Sequence, residues 1–223
     1  MSQTDRAQLF DSWAENYDAA VASAGGDFPF AGYEQVLDEV VRLADVQPPM
    51  RILDLGVGTG NLAARFLHRE CAVWGLDFSA EMLAQTRAKL PQVNLIQADL
   101  LGEWPTELQL SFDRVVSAYV LHEFDLATKV NLLQRVASHY LATDGSILVA
   151  DIAFPTSFAR QEAARRWADA WDEDEDYWAA DEASAACEWA GLRVAYKQVS
   201  SCGGVFTFTV RRGLTPRAAD SFR

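Results

Sequence analysis

From Arg51 to Ala150 the chain alternates short aliphatic runs with longer stretches of helical periodicity, and few residues separate them. RILDL (51–55), AVWGL (72–76), Val93–Gln97, FDRVVSA (112–118) and Ser146–Ala150 are too short and too continuously apolar for amphipathic surface helices, so they read as buried strands. Between them, Asn61 to about His68, Ser79 to Lys89 and Asp125 to Leu141 carry apolar residues at helical spacing. Strands and helices in strict alternation with short links predict an α/β fold, a doubly wound parallel sheet covered on both faces.

The ends of these elements are marked. Ser79 is placed to cap its helix and Pro91 to stop it. Leu126, Val130, Leu133, Val136, Ala137, Tyr140 and Leu141 trace one wide stripe, with Gly145 closing that helix. Nearer the front, Val36, Leu37, Val40, Val41 and Ala44 recur at helical spacing ahead of the Pro48-Pro49 break. The carboxyl end departs from the alternation: Arg193–Val199 and Val205–Val210 are joined only by SSCGG. Parallel neighbours need a crossover of a dozen residues or more, so this link implies an antiparallel hairpin. Five strands and a hairpin make a mostly parallel seven-stranded sheet.

Half of the residues are hydrophobic, including 12 Phe and 7 Trp, which is ample for a core, and the net charge is −13. An acidic surface works against phosphate neutralisation, so a small-molecule or protein substrate is expected, with no bulk nucleic acid and no membrane as partner. Cys71, Cys187 and Cys202 form no CxxC pair and no Cys/His ligand spacing. They fit buried reduced thiols, and no metal ion is expected. The start MSQTDRAQLF has no basic-then-apolar signal pattern, and no apolar run approaches the ~20 residues that span a bilayer, so the expected location is cytoplasmic.

LDLGVGTGN sets Gly56, Gly58 and Gly60 between the first strand and its helix, where ligands of open α/β sheets bind. Small residues there admit a ligand close to the backbone, and the helix start offers free N–H groups. Asp77 ends the second strand, and its two acceptor oxygens suit a pair of ribose hydroxyls. Asp99 ends the third, where a carboxylate can accept a bond from an exocyclic amine such as that of adenine.

Taken in order, LDLGVGTGN, GLDFSAEML, QADLL, FDRVVSAYVLHEF and LATDGSILVADI resemble the five motifs of class I S-adenosylmethionine-dependent methyltransferases. The resemblance is nearest to small bacterial members of the type that includes the quinone-biosynthesis C-methyltransferases. With the leader FDSWAENYDAAV, it runs from about Phe10 to Gly204. It implies a Rossmann-like fold with an N-terminal helical lid, S-adenosylmethionine as cofactor and methyl transfer to a small-molecule acceptor. Gly56 and Gly58 would face the methionine part, and Asp54 would organise the loop and the ammonium end. Asp77 would bind the ribose, Phe78 and Met82 would pack near the adenosine, Asp99 would reach the adenine amine, and the Leu100 backbone would help. Ser117 would stand beside the methionine amino group, and Tyr17 and Trp13 would fold over the cofactor. A single domain over 1–223 is implied. Residues 1–48 form its lid segment, 50–152 its cofactor-binding core, 153–190 its substrate-side helices and 191–212 its terminal hairpin.

Two other functions compete. A nicotinamide-dependent oxidoreductase would show G-x-G-x-x-G, but its third glycine falls on Asn61, and Asp77 at the ribose opposes a 2′-phosphate. An S-adenosylmethionine-binding protein without methylase activity would share every motif.

Methyl transfer from a sulfonium is an in-line displacement that needs a general base only if the acceptor must lose a proton. His122, just past the fourth strand, is the candidate pocket base or orienter. The competing reading is a histidine that only holds its loop. Tyr119 and Asp151 are weaker pocket candidates, while His68 and His139 sit in helical contexts. Trp167 and Trp171, four apart, would share a helix face. Together with Trp178 and the acids 172–176 they read as a lid or core edge with a solvated face. The alternative is an aromatic-acidic pocket for a cationic acceptor.

Overall fold

The computed structural model describes residues 27–211. Helix α1 (Tyr33–Ala44) precedes β1 (Arg51–Leu55), α2 (Asn61–Leu67), β2 (Ala72–Asp77), α3 (Ala80–Lys89), β3 (Asn94–Gln97) and β4 (Phe112–Ala118). Then follow α4 (Leu126–His139), β5 (Leu141–Phe154), α5 (Ser157–Arg166), β6 (Trp178–Ala179), α6 (Ala180–Trp189), β7 (Leu192–Gln198) and β8 (Gly203–Val210).

Seven strands lie in the order β3-β2-β1-β4-β5-β8-β7. The first five are parallel, and β8 runs antiparallel to both β5 and β7. The expected doubly wound sheet with a terminal hairpin is the observed one. The two-residue β6 is an addition that the sequence did not suggest; it pairs parallel to the far end of β5, with Ala153 opposite Trp178 and Phe154 opposite Ala179.

Period-two alternation divides the strands between two cores. Ile52, Val73, Val116, Leu148, Ala150 and Ile152 face a layer with Val36, Leu37 and Val40 of α1, Leu62 and Phe66 of α2 and Leu83 of α3. Leu53, Leu55, Val115, Ile147 and Val149 face the opposite layer, with Leu132, Leu133 and Val136 of α4 and Ala183 and Cys187 of α6. The three cysteines are buried and unpaired. Ser79 caps α3 by accepting the Met82 N–H at 3.1 Å, as its position implied. Asp125 caps α4 through Thr128 N–H at 2.7 Å.

Two expectations are corrected. Helix α4 ends at His139 rather than Leu141, because Leu141 already pairs with Phe112 at the start of β5. The next pair is Arg114 with Ser146, so residues 142–145 bulge out of the ladder, and Gly145 sits in that bulge rather than capping a helix. A Cβ on Gly145 would meet the Leu141 side chain at 2.8 Å. Helix α5 ends at Arg166, which leaves Trp167 and Trp171 beyond it rather than on one helix face. Phe28 brings them together instead, stacked on Trp167 at 5.0 Å and on Trp171 at 5.6 Å. Trp178 is apart from that cluster, fully buried against Phe206 and Phe208 in the opposite core. Among the described residues no helix is long and apolar enough to cross a membrane.

Candidate functional site

The strand order reverses between β1 and β4, and in open α/β sheets the ligand crevice opens at the carboxyl ends of the strands at such a point. A cleft of about 1040 Å³, counting space open to solvent, is found there. Asp54, Gly56, Gly58, Asp77, Phe78, Met82, Asp99 and Leu100 all line it. Trp13 and Tyr17 lie outside the described residues.

The loop after β1 turns through left-handed glycines, with φ 70° at Gly56 and 51° at Gly58. Conformation favours glycine at both, and at Gly56 space does too. A Cβ on Gly56 would stand 2.5 Å from Val120 Cγ2. One on Gly58, which lines the cleft, would meet no protein atom nearer than 4.0 Å.

Two carboxylates fasten the loop. Asp77 accepts the Gly58 N–H at 2.8 Å on one oxygen and the Ser79 N–H at 2.9 Å on the other, so it ties the glycine loop to the start of α3. Asp54 is 2% exposed and bonds the Ala63 N–H in the first turn of α2. Its Oδ2 is buried with no hydrogen-bond partner. Burial, reinforced by the charge of Asp77, pushes the Asp54 carboxyl well above its usual range. A buried acceptor without a donor is costly, and a cationic donor from a ligand would satisfy it.

On the far wall, Asp99 Oδ1 accepts the Leu101 N–H at 2.8 Å. Arg135 donates to the Gly102 carbonyl at 2.8 Å and also to that of Leu100, which fixes the turn carrying Asp99 and Leu100. Ser117 does not line the cleft. Strand alternation sets it with Val115, and its hydroxyl donates to the Leu55 carbonyl at 2.8 Å, joining β4 to the base of the glycine loop. Its successors Ala118 and Tyr119 line the cleft instead.

His122 is likewise not a lining residue, although its neighbour Glu123 is. Its Nδ1 is 2.6 Å from Asp151 Oδ1, and its Nε2 is 3.6 Å from Glu175 Oε1. Asp151 is fully buried and also accepts the N–H groups of His122 and Ile152 and the Trp178 indole N–H. An acceptor so engaged places the proton on Nδ1 of the neutral ring and the lone pair on Nε2. Burial opposes charging of the imidazole, but Asp151, with Glu175 and Glu123 behind it, outweighs burial and raises the pKa to about 8. Burial raises the Glu175 carboxyl, which Tyr177 hydrogen-bonds.

Four lining residues were given no role from the sequence: Tyr33, and Val120, Glu123 and Phe124 inside the fourth motif. Tyr33 starts α1, and its ring lies 5.0 Å from that of Tyr119, whose left-handed φ of 56° turns the chain sharply after β4. Of the other two histidines, His68 caps α2 and His139 ends α4 with Nδ1 at 3.0 Å from the Arg135 carbonyl, so both are structural.

A family model described as "Methyltransferase domain" matches residues 52–145, from β1 into the β5 bulge. An uncharacterized methyltransferase of Geobacillus kaustophilus is 34% identical over 158 residues, covering 70% of each chain. Magnesium protoporphyrin IX methyltransferase from Synechocystis PCC 6803, solved with bound SAH, superposes with a TM-score of 0.72 at 18% identity, covering 94% of this chain and 100% of its own. DhpI, solved as a SAM-HEP complex, superposes with a TM-score of 0.68 at 20% identity, covering 94% and 99%. These two share the fold; the Geobacillus relative and the family model carry the kinship: the chain belongs to the class I S-adenosylmethionine-dependent methyltransferases.

Proposed function

We propose that this protein binds S-adenosylmethionine in the β1–β4 cleft and transfers its methyl group to a small-molecule acceptor by in-line displacement. One observation carries the reading: the buried Oδ2 of Asp54, without a hydrogen-bond partner among the described residues, stands at the base of a glycine loop that lines the cleft. A cofactor with an ammonium group fits both features. The cofactors of the Synechocystis and DhpI complexes, which share this fold, support the same choice.

When bound, S-adenosylmethionine supplies a methyl carbon activated by its positively charged sulfur. The protein's own residues bind and orient. Asp54 takes the ammonium, Gly56 and Gly58 admit the methionine chain, and Asp77 accepts the ribose hydroxyls while holding the loop. Phe78 and Met82 pack near the adenosine, with Asp99 at the adenine amine and the Leu100 backbone beside it. Ser117 acts one step away, by anchoring the Leu55 carbonyl.

The acceptor occupies the end walled by Tyr33, Tyr119, Glu123 and Phe124, which is mostly aromatic with one carboxylate. Such walls align an acceptor and exclude water, and alignment alone lowers a barrier by ~7 kcal/mol or more. His122, held by Asp151, backs Glu123 there and serves as the orienting or proton-accepting group of that end.

Calorimetric titration with S-adenosylmethionine, S-adenosylhomocysteine and NAD tests this. Micromolar binding of the first two, weakened in Asp54→Asn and Asp77→Ala, supports the reading. Binding of NAD alone overturns it.

A further inference from the structure

The acceptor end also brings together a set of ligand-type side chains. One imidazole and two carboxylates converge there from distant parts of the sequence. His122 and Glu123 come from the turn after β4, and Glu175 from the acidic segment ahead of β6. One ligand atom from each lies within 4.8 Å of the others.

The His122 side chain is 10% exposed, so nine-tenths of it is buried. Asp151 fixes Nδ1 as its donor side, and the remaining nitrogen, Nε2, faces Glu175 Oε1 at 3.6 Å, beyond hydrogen-bond distance. In the neutral ring the Nε2 lone pair points toward that carboxylate, and a cation between them would take the place of the ring's second proton. Lys129, the buried cation of this region, does not supply it. Its ammonium bonds the Asp176 carbonyl and, at 3.2 Å, the Asp176 carboxylate, and it sits 4.4 Å from the Trp178 ring centroid.

We propose that His122, Glu123 and Glu175 form a divalent-cation site at the acceptor end of the cleft. One imidazole and two carboxylates, without thiolate, suit a borderline or hard first-row ion such as Zn²⁺ or Mn²⁺. Tetrahedral ligands at ~2.1 Å from a metal stand roughly 3.4 Å apart, so the His122–Glu175 separation is already close to that required. The Asp151–His122 pair is the carboxylate–histidine arrangement that orients a metal-binding ring. Three protein ligands leave coordination positions open, and Glu123 borders the cleft, so an acceptor bearing a hydroxyl or carboxylate oxygen would fill one of them. That choice of acceptor class rests on the methyl-transfer reading; the cation site itself does not.

Protein stripped with chelator is titrated with MnCl₂ and ZnCl₂ by calorimetry, and bound Mn²⁺ is followed by electron paramagnetic resonance. One ion per chain is expected, with affinity falling about tenfold or more in Glu175→Gln and His122→Ala and unchanged in Glu173→Gln. Circular dichroism establishes that each variant is folded, and Glu123→Gln repeats the test at a surface turn should His122→Ala unfold. Binding that survives Glu175→Gln and Glu123→Gln, or disappears with Glu173→Gln, overturns the site and leaves nonspecific attraction to the acidic segment. Absence of binding also overturns it. S-adenosylhomocysteine binding by the stripped protein is measured in parallel, so failure of the cation site is distinguishable from failure of the cofactor reading.

Discussion

The Asp77 carboxylate reaches back across the sheet to hold Gly58: one oxygen accepts the loop N–H at 2.8 Å while the other caps the chain at Ser79. The residue proposed to bind the ribose is thus also the residue that shapes the glycine loop. Asp77→Ala is expected to reduce affinity for S-adenosylhomocysteine more than tenfold in calorimetry. It should also lower the unfolding free energy by about 1–3 kcal/mol, since two N–H groups lose a charged acceptor. Weakened affinity at full stability would separate the two roles and contradict the shared one.

Asp54 offers a proton-linked readout of cofactor binding. Its carboxyl is held well above the usual range by burial and by Asp77. An ammonium placed against Oδ2 favours the charged form and lowers that pKa, so binding should release a proton at pH values below the raised one. Titrations in two buffers of different ionisation enthalpy measure the release. In Asp54→Asn it should vanish and affinity should drop by roughly tenfold or more, as for a lost bond to a charged group. Equal proton release in the variant would assign it elsewhere.

On α1, Glu39 does not line the cleft and predicts a pH effect on stability. Arg42 bonds it at 2.5 and 2.9 Å and Lys197 at 2.9 Å, and these partners outweigh burial, lowering its pKa from 4.5 to about 2. A depressed folded-state pKa contributes stability that is complete above the unfolded value. The contribution therefore declines from pH 4.5 and is gone once the pH passes about 2. Urea midpoints across this window should fall less steeply in Glu39→Gln than in the parent; parallel curves would count against the linkage.

Gly56→Ala should be destabilising on two grounds that can be separated. Its φ of 70° is strained for alanine, and its Cβ would press on Val120. A loss of about 1–3 kcal/mol is expected. Adding Val120→Ala removes the contacts at 2.5 and 2.9 Å, keeps the milder one to Cβ at 3.2 Å and leaves the strain, so it should restore only part of the loss. Full recovery in the double variant, measured by urea denaturation, would show that the backbone conformation is indifferent to the residue.

The sheet was legible because its central strands β1 and β4 are largely buried on both faces, so RILDL and FDRVVSA read as short, mainly apolar runs between periodic helices. Five residues between the last two strands were enough to set their antiparallel sense. The end of α4 was not legible, since Tyr140 and Leu141 continue the helical stripe and yet belong to the following turn and strand. Within the cleft, Asp54, Asp77 and Asp99 could be placed because strand ends at a switch point converge. Tyr33 in the cleft and Glu175 beside His122 could not, because only tertiary packing brings α1 and the acidic segment to the end of β4. Trp178 parted from Trp167 and Trp171 for the same reason: β6 carries it to the other side of the sheet, which residue spacing alone does not encode.

The short pairing of β5 with β6 has a consequence for how such a protein diversifies. Residues 155–177 leave the sheet at Phe154 and return at Trp178, one strand spacing away, with Asp176 N–H bonded to the His122 carbonyl at 2.7 Å as a further clasp. A segment pinned at both ends behaves as an exchangeable cassette, and doubling its length adds only ~0.6 kcal/mol of closure entropy. Grafts between homologues at these two seams would retune the acceptor end and leave the glycine loop, on the far side of β4, unchanged.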